Sequence, residues 1–253
     1  MSLPVITLTT DFGLDDAYVA AMKGVILTIC PQATLVDVSH EVRPQAVRQA
    51  AYLLSTVVPH FPPGTVHLVV VDPGVGTQRR AIAVQTGRAT YVAPDNGVLE
   101  LALAGDEALS AVELAEGHYR LPEVSATFHG RDVFAPAAAH LACGRSLAEM
   151  GPAVPLAEVY RLAPARQPEV LHVDRFGNLI TSYRVPAGQA RLAVTVGGVR
   201  LAGPASTYAD VEPGELLAYV GSSGYLEIAV REGSASQRLG AGPGTPVQVQ
   251  ALP

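Results

Sequence analysis

Short β-branched runs alternate with helix-period stretches through the first half of this chain. VITLTT (residues 5–10) predicts a strand that ends at Asp11. DDAYVAAMKGVILTIC follows, with Tyr18, Met22, Val25, Ile26 and Ile29 at helical spacing, and Pro31 stops that helix. TLVDVS (34–39) is a second strand. RPQAVRQAAYLLSTVV (43–58) is a second helix, with Pro44 near its first turn. TVHLVVVD (65–72) is a nearly unbroken apolar run, as expected of a parallel strand covered on both faces. AIAVQT and ATYVAP add two strands, VLELALA a short helix, and RDVFAPAAAHLAC (131–143) a further one. The expected fold class is α/β: an N-terminal three-layer α/β/α domain around a mostly parallel sheet.

The period then changes. EMGPAVPLAEVYRLAPARQPEV (149–170) is rich in proline, weakly periodic, and reads as linker. Beyond it come short alternating runs: VLHVD, NLITSY, RLAVTV, VRLA, LLAYV, YLEIAV and PVQVQ. The Gly197-Gly198 pair between two of them is a hairpin signal. The expected division is an α/β domain over 1–160, a linker over 161–167, and a small antiparallel β domain over 168–253.

Composition narrows the partners. The chain has 253 residues, 49% hydrophobic and 16% charged, which supplies a packed core and argues against disorder. A formal net charge of −6 argues against nucleic acid, whose phosphates need a basic face. With no basic leader and no uncharged apolar run of about 18 residues, neither a signal peptide nor a membrane span is expected, and a cytoplasmic location follows. Cys30 and Cys143 are read as two buried free thiols, because one distant pair makes neither a disulfide scaffold nor zinc spacing.

Candidate chemistry gathers at strand ends, where open parallel sheets bind ligands. Asp11 closes the first strand. It is either a cap or Asx-turn for the next helix, or a carboxylate that accepts two hydroxyls. Asp72 closes the third strand in VVVDPGVGTQRR. It is either a turn residue before Pro73, or one partner of Arg79, which PGVGTQ could fold back over it. Arg80 is read as a solvated surface charge. Gly74-x-Gly76 has neither the lysine of a phosphate loop nor the spacing of a dinucleotide fingerprint. His129, in SATFHGRDVFAP, precedes Gly130 and a helix start, where a positioned imidazole competes with a structural role. No metal-ligand spacing occurs, so no metal is expected. In the second half, Asp174, Asn178, Ser222 and Ser223 stand on tight loops, and hairpin chemistry alone accounts for them.

Seven fragments in order resemble one family, the S-adenosylmethionine hydroxide adenosyltransferases, relatives of the fluorinating and chlorinating enzymes. They are TLTTDFG, MKGVI, VDPGVGTQRR, APDNG, TFHGRDVFAPAAAHL, DRFGNLIT and GSSGYLEIAV. The resemblance implies an α/β domain, a C-terminal β-barrel-like domain, and a homotrimer with active sites at subunit interfaces. It implies hydrolysis of S-adenosyl-L-methionine to adenosine and L-methionine with no cofactor. It places a catalytic triad on Asp72, Arg79 and His129, and ribose binding on Asp11. Asp174 and Asn178 match residues holding the amino-acid and nucleoside ends. Phe176 and Tyr208 match positions that flank adenine. Ser222 matches a methionine-end contact, and Val230 and Glu232 a segment that meets adenine through backbone.

Halogenating relatives carry tyrosine at the position of Asp72, serine at that of Gly130, and a long insertion where this chain has VQTGRATYV. The resemblance therefore favours water over halide. A halogenase making a 5′-halo-5′-deoxyadenosine and a non-catalytic trimer binding adenosine or S-adenosylmethionine are the alternatives.

Overall fold

The computed structural model describes residues 3–163, 165–189 and 191–252; Pro164, within the expected linker, lies outside them. The chain divides into two compact units, Met1–Leu162 and Ala163–Pro253.

The first unit is built on a six-stranded sheet in the order β2-β1-β3-β5-β4-β6. Its strands are β1 (Val5–Thr10), β2 (Thr34–Ser39), β3 (Val66–Val70), β4 (Ala81–Thr86), β5 (Thr90–Pro94) and β6 (Ala108–Glu113). β2, β1, β3 and β5 run parallel, and β4 is antiparallel to both its neighbours. Successive β3 residues serve opposite cores. Val66, Leu68 and Val70 join Met22 and Ile26 of α1 (Tyr18–Ile29) and the alanines of α4 (Ala135–Ala142). Val69 and the following Val71 join Ala50 and Leu54 of α2 (Val47–Val57) and Ala102 of α3 (Glu100–Leu103). Burial on both faces explains the continuous apolar run. Because α1 and α2 cover opposite faces, the strand order reverses between β1 and β3. The crevice at their carboxyl ends is therefore the natural ligand position.

Three details differ from the sequence reading. α2 begins at Val47, so Pro44 lies outside it, and Gln45 just before it takes φ +66. The strand β6 was absent from that reading; it is an edge strand whose neighbouring Leu109 and Ser110 are both exposed and whose neighbouring Ala111 and Val112 are both buried, so apolar and polar positions do not alternate along it. The proline-rich run is not a free linker throughout. Met150, Val154 and Val159 are buried in the first unit, and Glu158 meets Arg80.

Cys30 and Cys143 are bonded as a disulfide rather than being two buried thiols, and Cys143 is exposed. α1 packs along α4, which brings their C-terminal ends together with Cα atoms 5.9 Å apart. A sequence separation of 113 carries no trace of that packing.

The second unit has two antiparallel sheets. One is β10-β9-β13 (Val199–Gly203, Leu192–Val196, Val247–Ala251) and the other β11-β12-β8-β7 (Leu216–Val220, Tyr225–Val230, Leu179–Arg184, Val170–Val173). Their apolar residues form a single core that includes Leu179, Val194, Leu226, Ile228 and Val247, and α5 (Ala235–Leu239) caps its edge. Gly197 and Gly198 take φ +56 and +77, the turn conformation their pairing requires.

Candidate active site

Asp72, Arg79 and His129 converge. Arg79 Nε donates to Asp72 Oδ1 at 2.9 Å and Oδ2 at 3.1 Å, and Nη2 also donates to Oδ2. The same Nη2 lies 2.8 Å from His129 Nδ1. The Asp72 and Arg79 side chains are largely buried, so this pair is screened far less than one at the surface.

The glycines of the loop make this approach possible. The chain turns twice after Asp72, with Val75 N–H on the Asp72 carbonyl and Thr77 N–H on that of Gly74. A Cβ at Gly74 would stand 3.0 Å from Arg79 Cγ, so the arginine stem crosses where a side chain would be. Gly76 takes φ +78, and a Cβ there would stand 2.9 Å from the Ala126 carbonyl oxygen. Ala126 belongs to the segment that carries His129. The Gly-x-Gly pair therefore docks one loop on another instead of cradling phosphate.

His129 precedes a single π-helical turn, Gly130–Phe134, that leads into α4. Buried Asp132 holds the preceding segment by accepting from Ser125 N–H at 2.8 Å. Burial, then the positive charge of Arg79, pushes the His129 imidazole below its ordinary pKa; the charge of Asp72 opposes this. The ring is therefore neutral at pH 7. Phe134 was missed by the sequence reading: its ring lies 5.2 Å from the Arg79 guanidinium carbon and backs it. An aromatic residue five positions after His129 was the available signal.

Asp11 follows β1, the strand beside β3. It does not cap α1, which starts at Tyr18 behind Ala17. Its Oδ2 accepts from the backbone N–H of Gln45 at 2.7 Å, which explains why Gln45 adopts its unusual φ. Burial raises the Asp11 pKa above the usual carboxylate range, and the charge of Asp72 adds to the rise. Arg80 is not a free surface charge, because it pairs with buried Asp95 at 2.7 Å and with Glu158 at 3.4 Å.

In the second unit, Phe176, Asn178, Tyr208, Val230 and Glu232 line one cavity of about 690 Å³, together with Arg231 and Gly233. Asp174 organises the first wall. Its Oδ1 accepts from the N–H groups of Phe176 (2.9 Å) and Asn178 (2.8 Å), and its Oδ2 from Asn178 Nδ2 (2.8 Å). This turn presents the Phe176 ring at 75% exposure. The opposite wall turns at Glu232, whose φ is +58. The two walls are tied by Ser236 N–H on the Gly177 carbonyl at 2.9 Å. Ser222 is exposed on the β11–β12 turn and does not line the cavity. Arg231 and Gly233 flank residues the sequence had marked, and nothing but that adjacency pointed to them.

Comparison with known proteins identifies the family. Residues 6–151 match the SAM hydroxide adenosyltransferase N-terminal domain, and residues 168–248 match the C-terminal domain of the same family. A protein named (R)-S-adenosyl-L-methionine hydrolase from Thermus thermophilus is 47% identical, over 95% of this chain and 97% of its own length. Another of that name from Salinispora tropica is 44% identical over 98% of each. The crystal structure of an uncharacterized conserved protein from Thermotoga maritima superposes with a TM-score of 0.87 at 39% identity, over 96% of this chain and 99% of that one. A fluorinase from Nocardia brasiliensis is more distant, at 29% identity over 98% of this chain and 97% of its own. With both of its domains matched in order, this chain belongs to the SAM hydroxide adenosyltransferase family.

Proposed function

We propose that the protein hydrolyses S-adenosyl-L-methionine to adenosine and L-methionine. The observation that carries this reading is the meeting of Asp72, Arg79 and His129 at the carboxyl end of the parallel sheet. The hydrolase names of its full-length relatives support it.

A water oxygen attacks ribose C5′ in line with the C5′–S bond. The electrons of that bond leave with sulfur, which becomes the neutral thioether of methionine, so the leaving group needs no acid. The water keeps one hydrogen as the new 5′-hydroxyl and loses the other as a proton. Charge on sulfur fades as the bond breaks, which a water-poor site favours.

In this reading the hydrogen-bond directions divide the work within the triad. A guanidinium has only donors, so His129 Nδ1 accepts from Arg79 and the neutral ring carries its hydrogen on Nε2. Nε2–H can then hold the water oxygen but cannot take its proton. Asp72 is the acceptor for the water O–H, and Arg79 orients both partners. A carboxylate here also disfavours a halide ion, by like charge, and Asp11 adds a second acidic group nearby. Gly130 points the same way. A Cβ there would stand 3.2 Å from the Phe12 ring and 3.3 Å from Met22 Sδ, leaving little room for a serine.

In this reading Asp11 accepts the ribose hydroxyls, and Asp174 and Ser222 meet the amino-acid end. The nucleoside end enters the cavity, where Asn178, Phe176, Tyr208, Val230 and Glu232 meet it. No cofactor takes part beyond the substrate. Each unit supplies a different half of these groups, in keeping with a homotrimer whose subunits share sites; sedimentation tests that assembly. A cytoplasmic location belongs to the same reading, and cell fractionation tests it.

The decisive experiment incubates the protein with S-adenosyl-L-methionine in ¹⁸O-water with chloride and fluoride present. Equal amounts of methionine and adenosine, labelled at the 5′-oxygen, are expected. A 5′-halo nucleoside, free adenine, or no turnover would overturn the proposal.

A further inference from the structure

β12 is buried along its whole length, and its residues are aliphatic or aromatic except one, Glu227. Among the described residues no cation forms an ion pair with this carboxylate. Burial raises its pKa, opposed by a hydrogen bond from Tyr219. A buried acid without a cation is costly unless directed hydrogen bonds satisfy it. Here they do. Tyr219 lies directly opposite on β11 and donates its hydroxyl to Glu227 Oε2. The Tyr208 hydroxyl is 2.7 Å from that of Tyr219, and their rings lie 5.0 Å apart. Since the hydrogen of Tyr219 is already engaged, Tyr208 is the donor between them. Asn178 Nδ2 donates in turn to the Tyr208 hydroxyl at 3.3 Å and to Asp174 Oδ2 at 2.8 Å.

The chain thus runs in one direction, from Asn178 through Tyr208 and Tyr219 to Glu227. Both hydrogens of the Asn178 amide nitrogen are used at its start. That fixes which way the amide faces and leaves Oδ1 as its acceptor atom for the cavity that Asn178 and Tyr208 line. We infer that Glu227 and Tyr219 are positioning residues which hold Asn178 with its carbonyl toward the cavity, so that the site selects an aminopurine, which donates there, over an oxopurine, which accepts. This inference rests on the reading that the cavity takes the nucleoside end of the substrate.

Calorimetric titration with adenosine and with inosine tests it, alongside kcat and KM for S-adenosyl-L-methionine in the same preparations. Wild type should prefer adenosine. Tyr219→Phe and Glu227→Leu should each reduce the adenosine-to-inosine affinity ratio about tenfold, the worth of one directed hydrogen bond. KM should rise while kcat holds, because neither residue touches the triad. Glu227→Gln keeps an acceptor oxygen and should restore the ratio. A residue that only supports the fold would lower the melting temperature and leave the ratio alone. Should Glu227→Leu not fold, Tyr219→Phe and Glu227→Gln carry the test. A ratio unchanged in Tyr219→Phe, or one that collapses in Glu227→Gln, overturns the inference. Adenosine and methionine formation by wild type keeps the hydrolase reading standing in either case, whereas a wild type that binds no adenosine sinks both.

Discussion

The two units hold polar groups still with different materials. In Met1–Leu162, charges hold charges: Arg79 grips Asp72 through both of its oxygens and reaches His129 with the same nitrogen that closes the grip. In Ala163–Pro253, neutral groups do most of the holding: backbone N–H groups and an amide hold Asp174, and the same amide leads through two phenols to buried Glu227. The contrast follows the chemistry proposed for each. Where charge moves during reaction, groups already charged and already paired need little reorganisation. Where a flat, neutral base must be recognised, ring faces and fixed hydrogen-bond directions suffice, and a free charge would only add desolvation cost.

This contrast predicts that damage to the first unit shows in turnover and damage to the second in binding. The largest effect belongs to Asp72→Asn, which keeps the shape but removes the acceptor for the water proton. We expect kcat to fall about 10²–10⁴-fold with KM nearly unchanged. A variant with full turnover would remove Asp72 from the chemistry. Phe176→Leu should do the reverse, raising KM roughly 3- to 10-fold through a lost stacking face while leaving kcat alone. If Phe176→Leu lowered kcat instead, the division of labour would be wrong.

A third expectation concerns pH. Because burial and Arg79 lower the His129 pKa, the ring stays neutral below the ordinary imidazole value of 6.5. The acid limb of kcat/KM should therefore bend below 6.5. Arg79→Gln should move that limb upward while also slowing turnover. The stability sign follows: in the window between the lowered value and 6.5 the unfolded chain binds more protons, so stability falls as pH falls through it. A limb that stays in place in Arg79→Gln would show that another group controls it.

The same contrast explains what the sequence revealed. The parallel strands were legible because β3 is buried on both faces and so reads as an unbroken apolar run. Asp11 and Asp72 could be placed at strand ends for the same reason. Residues alone left the meeting of Arg79 and His129 with Asp72 open, since 50 positions separate Arg79 from His129 and the contact depends on one loop docking on another. Only the order of the family-like fragments joined them. Edge strand β6 was lost because exposed Leu109 breaks the alternation of apolar and polar positions along it. The Cys30–Cys143 disulfide was lost because helix packing, not spacing, sets it. Glu227 could not be singled out, because a lone glutamate in YLEIAV reads as the solvent face of an alternating strand. Its partner Tyr219 lies across a hairpin, in register with it.

The smallest expected effect tests the finest part of the comparison, whether the second unit contacts its ligand through backbone or side chain. Glu232 lines the cavity with φ +58, a conformation that costs a non-glycine residue about 1 kcal/mol. Its side chain is 70% exposed and reaches Arg231 only at 3.8 Å, a pair of little worth in water. Glu232→Gly removes the strain but adds flexibility to the unfolded chain, two terms of similar size. Thermal unfolding should therefore shift by less than about 1 kcal/mol in either direction. If the carboxylate plays no part in binding, kcat and KM should both stay at wild-type values. A rise in KM as large as that in Phe176→Leu would instead make the Glu232 side chain a ligand contact, and would place a working charge in the cavity that otherwise recognises the base by shape and neutral hydrogen bonds.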